Sequence, residues 1–136
     1  MEERDAEKVG DLLPAQLNGW KGERLQRDDL GVLGGGLSIS RAYVSGKRDI
    51  TVKVMKDSPL VKQLLPLLTN EDLIRMSNRK THNIAGETAI MEGEKMMMLV
   101  LDGRILVELV AGGDAEERDL VSAVRKLDLK ALAKMK

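Results

Sequence analysis

The stretch Glu94–Gly112, EKMMMLVLDGRILVELVAG, is the densest apolar run in the chain and carries an Asp102-Gly103 pair at its middle. Asp-Gly between two apolar runs is the strongest short-range hairpin signal, because both residues of a tight two-residue turn need positive φ. The spacing therefore predicts two antiparallel strands, over 95–101 and 104–111, with the rest of the chain packed around them. A two-residue turn sets Leu101 opposite Arg104, Val100 opposite Ile105 and so on to Met96 opposite Leu109. Alternation along each strand then sorts the side chains. One face carries Met96, Met98, Val100, Ile105, Val107 and Leu109, and is expected to look into the core. The other mixes Met97, Leu99, Leu101, Leu106 and Val110 with Arg104 and Glu108. This mixed face is the candidate interaction surface, an exposed patch for a protein partner or a seam for self-association.

Elsewhere the chain is read for elements that could enclose such a hairpin. Residues 1–10 are charged and are expected to be a flexible segment ahead of a single domain over 11–136. Trp20–Arg27 alternates loosely and reads as a first strand, followed by a flexible loop through Asp28-Asp29 and the glycine run 34–36. Leu37–Val44 and Asp49–Met55 read as a second hairpin around a four-residue loop, Ser45 to Arg48. Leu37, Ile39 and Tyr43 share a face with Arg41 there; a bulge or an edge position would resolve that conflict. Ser58-Pro59 starts a helix, with Pro at the first helical position, and Pro66 is expected to stop or kink it. Asn70 before Glu71-Asp72 restarts it, the acids sitting at the positive end of the helix dipole. Two weaker strands flank Ala85-Gly86. Past the central hairpin, Asp114 with Glu117 is a cap-like pattern ahead of a helix of about four turns striped by Leu120, Val121, Val124 and Leu127. Asp128 caps a last short helix. The fold class is α+β: an antiparallel sheet of about five or six strands with helices packed on it, one of them C-terminal.

Chemistry is harder to find. Lys+Arg and Asp+Glu number 22 each, so no net field draws nucleic acid or an anionic surface, and no nucleic-acid partner is expected. Cysteine is absent, which removes disulfides, thiolate metal sites and a Cys nucleophile together. No run is long and apolar enough for a membrane span, and the N-terminus has no basic-then-apolar signal pattern. Such a chain suits the cytosol or, after trimming, the periplasm. One Trp, one Tyr and no Phe leave little for stacking on bases or sugars, which disfavours a paired-carboxylate glycosidase. His82 is the only His and reads as a solvent-facing strand residue. The serines lack a G-x-S-x-G setting, and neither the glycines from Gly31 nor Ser45-Gly46-Lys47 fits a phosphate loop. No cofactor or catalytic residue is assigned. Asp28, Asp29 and Arg48 are the one loop-borne cluster where an enzyme's polar groups would be sought. Met96 and Met98 form an M-x-M pair that Cu(I) would accept, with Met91 and His82 to complete it, but their apolar neighbours favour packing.

Leu13-Pro14, Gly19-Trp20 and the order lead-in, glycine loop, hairpin, helix, strands, C-terminal helix resemble the PsbP-like superfamily. That resemblance implies a central antiparallel sheet flanked by helices, and an accessory or adaptor protein without catalysis, as in exported bacterial lipoproteins and photosynthetic subunits. The expectation is thus a non-enzymatic binding module. The alternatives are a carrier of a small apolar ligand, held between the sheet and helix 59–77, and Met-based Cu(I) binding.

Overall fold

A computed structural model of the chain describes residues 12–17, 19–29, 37–56 and 59–134. The flexible segment expected over 1–10, the glycine loop at 34–36 and the Ser58 cap fall outside those residues. In chain order the strands β1 (Gln16–Leu17), β2 (Trp20–Gly22), β3 (Gln26–Asp29), β4 (Leu37–Ser45) and β5 (Arg48–Lys56) come first. Helices α1 (Pro59–Thr69) and α2 (Glu71–Ser77) follow, then β6 (Thr81–Ile84), β7 (Glu87–Glu92), β8 (Met96–Leu101) and β9 (Ile105–Gly113). Helices α3 (Glu117–Arg125) and α4 (Leu129–Ala133) close the chain. The fold is α+β, as expected.

Among the described residues, nine strands join one sheet in the order β1-β2-β4-β5-β9-β8-β7-β6, with β3 also on β4 and every pairing antiparallel. The sheet is wider than the five or six strands expected because residues 16–29 supply three very short strands, not one. β2 and β3 both pair with β4, on either side of a gap opposite Arg41. That gap answers the inward Arg. Its stem lies against Gly22, where a Cβ would stand 3.0 Å from Arg41 Cδ and 2.6 Å from the Ala15 carbonyl. The β4–β5 loop is two residues shorter than expected: Ser45 pairs with Arg48 across Gly46-Lys47, Gly46 at φ 61°.

The central hairpin forms with its register corrected by one residue. Asp102 and Gly103 do take positive φ, 54° and 65°, and Arg104 N–H donates to the Leu101 carbonyl at 3.1 Å. Leu101, however, pairs with Ile105, and the offset carries through to Met96 opposite Val110. Arg104 is the extra residue. Its guanidinium reaches Asp102 Oδ2 at 3.1 Å and the Ala133 carbonyl, in the last turn of α4, at 3.3 Å. The turn thus spends one residue to hold a helix end, where a cation is favoured. A slip of one exchanges the face of one strand relative to the other. Met97, Leu99 and Leu101 therefore join Ile105, Val107 and Leu109, and the expected partition of the hairpin is wrong on β8.

The two sheet faces are buried by different parts of the chain. On one, that row joins Ile39, Tyr43, Ile50 and Val52 beneath α3, α4 and the lead-in residues Leu13, Leu17 and Trp20. On the other, α1 lays Val61 and Leu68 over Met55, Ile90, Val100 and Leu106. Pro66 does not end α1, which runs to Thr69. Its missing N–H would have bonded to Lys62, an exposed residue whose carbonyl is left on the solvent side. The restart at Asn70 is as expected: its Oδ1 accepts from Leu73 N–H at 3.1 Å. The C-terminal stripe forms on a helix shorter than expected. α3 begins two residues later than Asp114 implied, with Glu116 as its cap residue and Asp119 Oδ2 accepting from Glu116 N–H at 2.9 Å. Asp128 caps α4 through Ala131 N–H at 3.0 Å.

Candidate functional site

The residues singled out on the mixed hairpin face are divided by the observed register. Met97, Leu99 and Leu101 are wholly buried under α3 and α4, and Leu106 is buried under α1. Glu108 and Val110 lie half-buried on the α1 side, and Arg104 sits in the turn. No partner reaches the first three without opening the core. The methionines are divided too. Met96 and Met98 face the α1 side, whereas Met91, opposite Met97, is buried in the larger core, and His82 lies on that same side. Among the described residues no three His, Asp or Glu side chains gather as a metal site. Asp28 and Asp29 pair with Ser38 and Leu37, while Arg48 pairs with Ser45 at the far end of β4. Seven residues of strand separate them, roughly 23 Å. The structure does not bring that cluster together. The space between α1 and the sheet, where a small apolar ligand was sought, is filled by the packed side chains of the smaller core.

Polar groups do converge where β6 meets α3. His82 Nε2 lies 2.7 Å from Glu117 Oε2, and Lys80 Nζ is 2.9 Å from the same oxygen. His82 and Glu117 are 21% and 25% exposed, so His82 is no solvent-facing residue. The Lys80 hydrogen bond holds the Glu117 carboxyl below the usual glutamate range; burial opposes this and the His82 bond adds to it. His82 on β6 and Lys80 just ahead of that strand therefore clasp the first turn of a helix. Both engage Glu117 across the β6–α3 joint, which is how a structural tie is built.

A second constellation joins the lead-in to α3. Arg48 stacks its guanidinium 5.0 Å from the centroid of the Trp20 ring and reaches Asp119 Oδ1 at 3.3 Å. Asp119 thus serves α3's first turn with one oxygen and Arg48 with the other. Tyr43 donates its hydroxyl to the Pro14 carbonyl at 2.8 Å, and burial pushes the phenol's pKa up against the pull of Arg41. The crevice between Trp20, Tyr43, Ile50 and Ser122 holds about 40 Å³, room for one or a few waters and no ligand. A larger cleft, about 220 Å³, opens between the β6–β7 turn and the α3–α4 junction.

Among the described residues, the most exposed large apolar groups lie on the α1–α2 corner. Met76 is 81% exposed, Leu67 42% and Leu73 37%. α2 buries none of its residues, yet it is firmly ended, by Asn70 at its start and by Asn78 in the left-handed conformation at φ 58°. The i, i+3 spacing of Leu73 and Met76 was readable as a core stripe, which is why the surface escaped notice in the sequence. The polar clamp escaped for another reason: His82 and Glu117 are 35 residues apart. No family model, curated protein or solved structure matches this chain.

Proposed function

We propose that this protein is a non-enzymatic binding module whose docking surface is α2 with the adjoining end of α1. One observation carries the reading. A capped helix that fully buries none of its residues, with Ile74 alone set against the smaller core, presents Leu73 and Met76 to solvent, with Leu67 beside them. Such a helix adds little to the core, so its apolar side chains need another occupant. The exposed Met is suited to a surface that adapts to its partner, being unbranched and polarizable. Glu71, Asp72 and Arg75 rim the patch with both charges, which suits a protein partner better than an anionic surface. The resemblance to PsbP-like accessory proteins points the same way.

A photo-crosslinking residue at Ser77, exposed at the end of α2, tests it in the source cell. A discrete cross-linked protein, identified by mass and lost from a Leu73→Glu/Met76→Glu variant of unchanged melting temperature, is the expected result. Cross-links indifferent to those two substitutions would sink the idea.

A further inference from the structure

The α1-side face of the sheet has a half that neither core claims. α1 lies over Met55, Ile90, Val100 and Leu106, toward the end of the sheet that carries the Asp102-Gly103 turn. Nearer the Gly46-Lys47 turn, Ala42, Val44, Met96 and Val110 are half-buried by their strand neighbours and belong to neither core. Thr51 of β5 sits in their midst, opposite Ala42 on one side and Val110 on the other. Alternation sets Asp49 and Lys53 on this same face, two residues to either side of Thr51. Both are half-buried, and among the described residues neither takes part in an ion pair, although Lys53 stands across from Glu108.

An independent observation concerns Gly112, which pairs with Asp49. A Cβ there would stand 2.3 Å from Asp49 Oδ1, so the glycine clears a seat for the carboxylate. Glycine inside a strand weakens it, and such glycines mark places where another group must come close. The chain thus keeps a carboxylate on its open sheet face and supplies it with no cation.

A second copy of the chain supplies one. α1 forms a layer about 10 Å thick, and stacked sheets also lie about 10 Å apart. If two copies stacked with their strands running the same way, each α1 would meet the other's sheet. With the strands reversed, each α1 falls beyond the end of the partner. A twofold axis crossing the strands at Thr51 gives that arrangement. It lays Ala42, Thr51, Met96 and Val110 on their own counterparts, and it carries Asp49 over the partner's Lys53 and Lys53 over the partner's Asp49. Opposite charges spaced evenly about one residue are what a self-complementary contact needs.

We propose that the open half of this face is a self-association surface, a twofold sheet-on-sheet contact centred on Thr51 and held by two reciprocal Asp49–Lys53 ion pairs. The patch spans four strands by five residues, roughly 20 Å by 17 Å, at the small end of specific interfaces. The dimer is therefore weak and reversible. It does not rest on the α2 surface, and its test separates the two.

Sedimentation equilibrium of the full chain over a concentration series is expected to give a monomer–dimer equilibrium. Asp49→Lys and Lys53→Asp, each alone, should weaken it by roughly tenfold or more, and the two together should bring it back to within about threefold of the parent. Melting temperatures read the effect of each change on folding separately. Since the chain has no cysteine, Thr51→Cys places a single thiol on the axis, where a bis-maleimide of about 10 Å span should link two copies. Met76→Cys, more exposed but on α2, should link far less, and Leu73→Glu/Met76→Glu should dimerise as the parent does. A chain monomeric at every concentration, single charge reversals without effect, a double reversal that fails to recover, or linkage through Met76→Cys in preference to Thr51→Cys would each overturn the assignment.

Discussion

The two faces of the sheet are built from the same strands and have opposite characters. On the α3/α4 side, rows from β4 to β7 are mainly apolar, with Arg41 and Lys56 among the exceptions, and three separate parts of the chain close over them. On the α1 side, one helix covers Met55, Ile90, Val100 and Leu106, while Ala42, Thr51, Met96 and Val110 beyond it stay half-buried beside Lys53 and Glu108. The first face is sealed by many residues that must all leave together. The second is sealed by one helix, whose continuation α2 adds only the half-buried Ile74 to the seal. Regions with few buried apolar contacts are where local opening and partner binding are drawn from. On the proposed reading, stability rests on the first side of the sheet and interaction on the second.

The sharpest way to break that contrast is to cut into each face. Leu99→Ala, in the sealed core, is expected to lower the unfolding free energy by about 3–4 kcal/mol, read from urea titration. Leu106→Ala, beneath α1, is expected to lose about 2–3 kcal/mol, because a single helix can settle toward the cavity. Hydrogen exchange gives the decisive form: in Leu106→Ala, α1 amides lose protection while those of β8 and β9 keep theirs. Equal loss everywhere would show the two cores to be one cooperative unit.

Smaller effects sharpen the comparison. Asn70→Ala removes the cap between α1 and α2 and should lower stability by about 1 kcal/mol, visible in helical circular dichroism. Glu117→Gln should remove less than about 1 kcal/mol near neutral pH, since the clasp is partly exposed. The sign follows from the depressed carboxyl. Its contribution is present above the ordinary value of 4.5 and is lost as the pH falls through the lower folded value, so the variant's acid limb is flatter. Leu73→Glu with Met76→Glu should stay within about ±0.5 kcal/mol of the parent, as substitutions at exposed sites do. A large loss there would mean that α2 belongs to the fold after all.

What could be read without coordinates divides along physical lines. Turns whose chemistry is local were legible: Asp102-Gly103, Ala85-Gly86, the Pro59 start, and the Asn70 and Asp128 caps each depend on residues a few positions apart. So were strands with alternation, Ile50, Val52 and Val54 above all. The three strands of 16–29 were not, because elements of two to four residues are too short to show a period. The register of β8 was not, because Met-Met-Met-Leu-Val-Leu is apolar at every position and carries no record of which side faces inward. Candidate sites fared worst. The β6–α3 clasp and the cleft beside it join residues distant in sequence, and Leu73 and Met76 have the spacing of a buried stripe without the burial.

Arg104 gives the uniform apolarity of β8 a further meaning. β9 is directional, since Glu108 and Val110 leave only the row from Ile105 to Ala111 fit for the sealed core. β8 is not: its odd and even positions are interchangeable in kind, Met97, Leu99 and Leu101 against Met96, Met98 and Val100. One residue more than a two-residue turn therefore sets which face of the whole strand looks inward, without placing a charge on either side. A strand of this type absorbs insertions and deletions in its neighbouring turn as a change of frame, leaving the turn free to acquire a residue for other ends. Here that residue fastens the last helix.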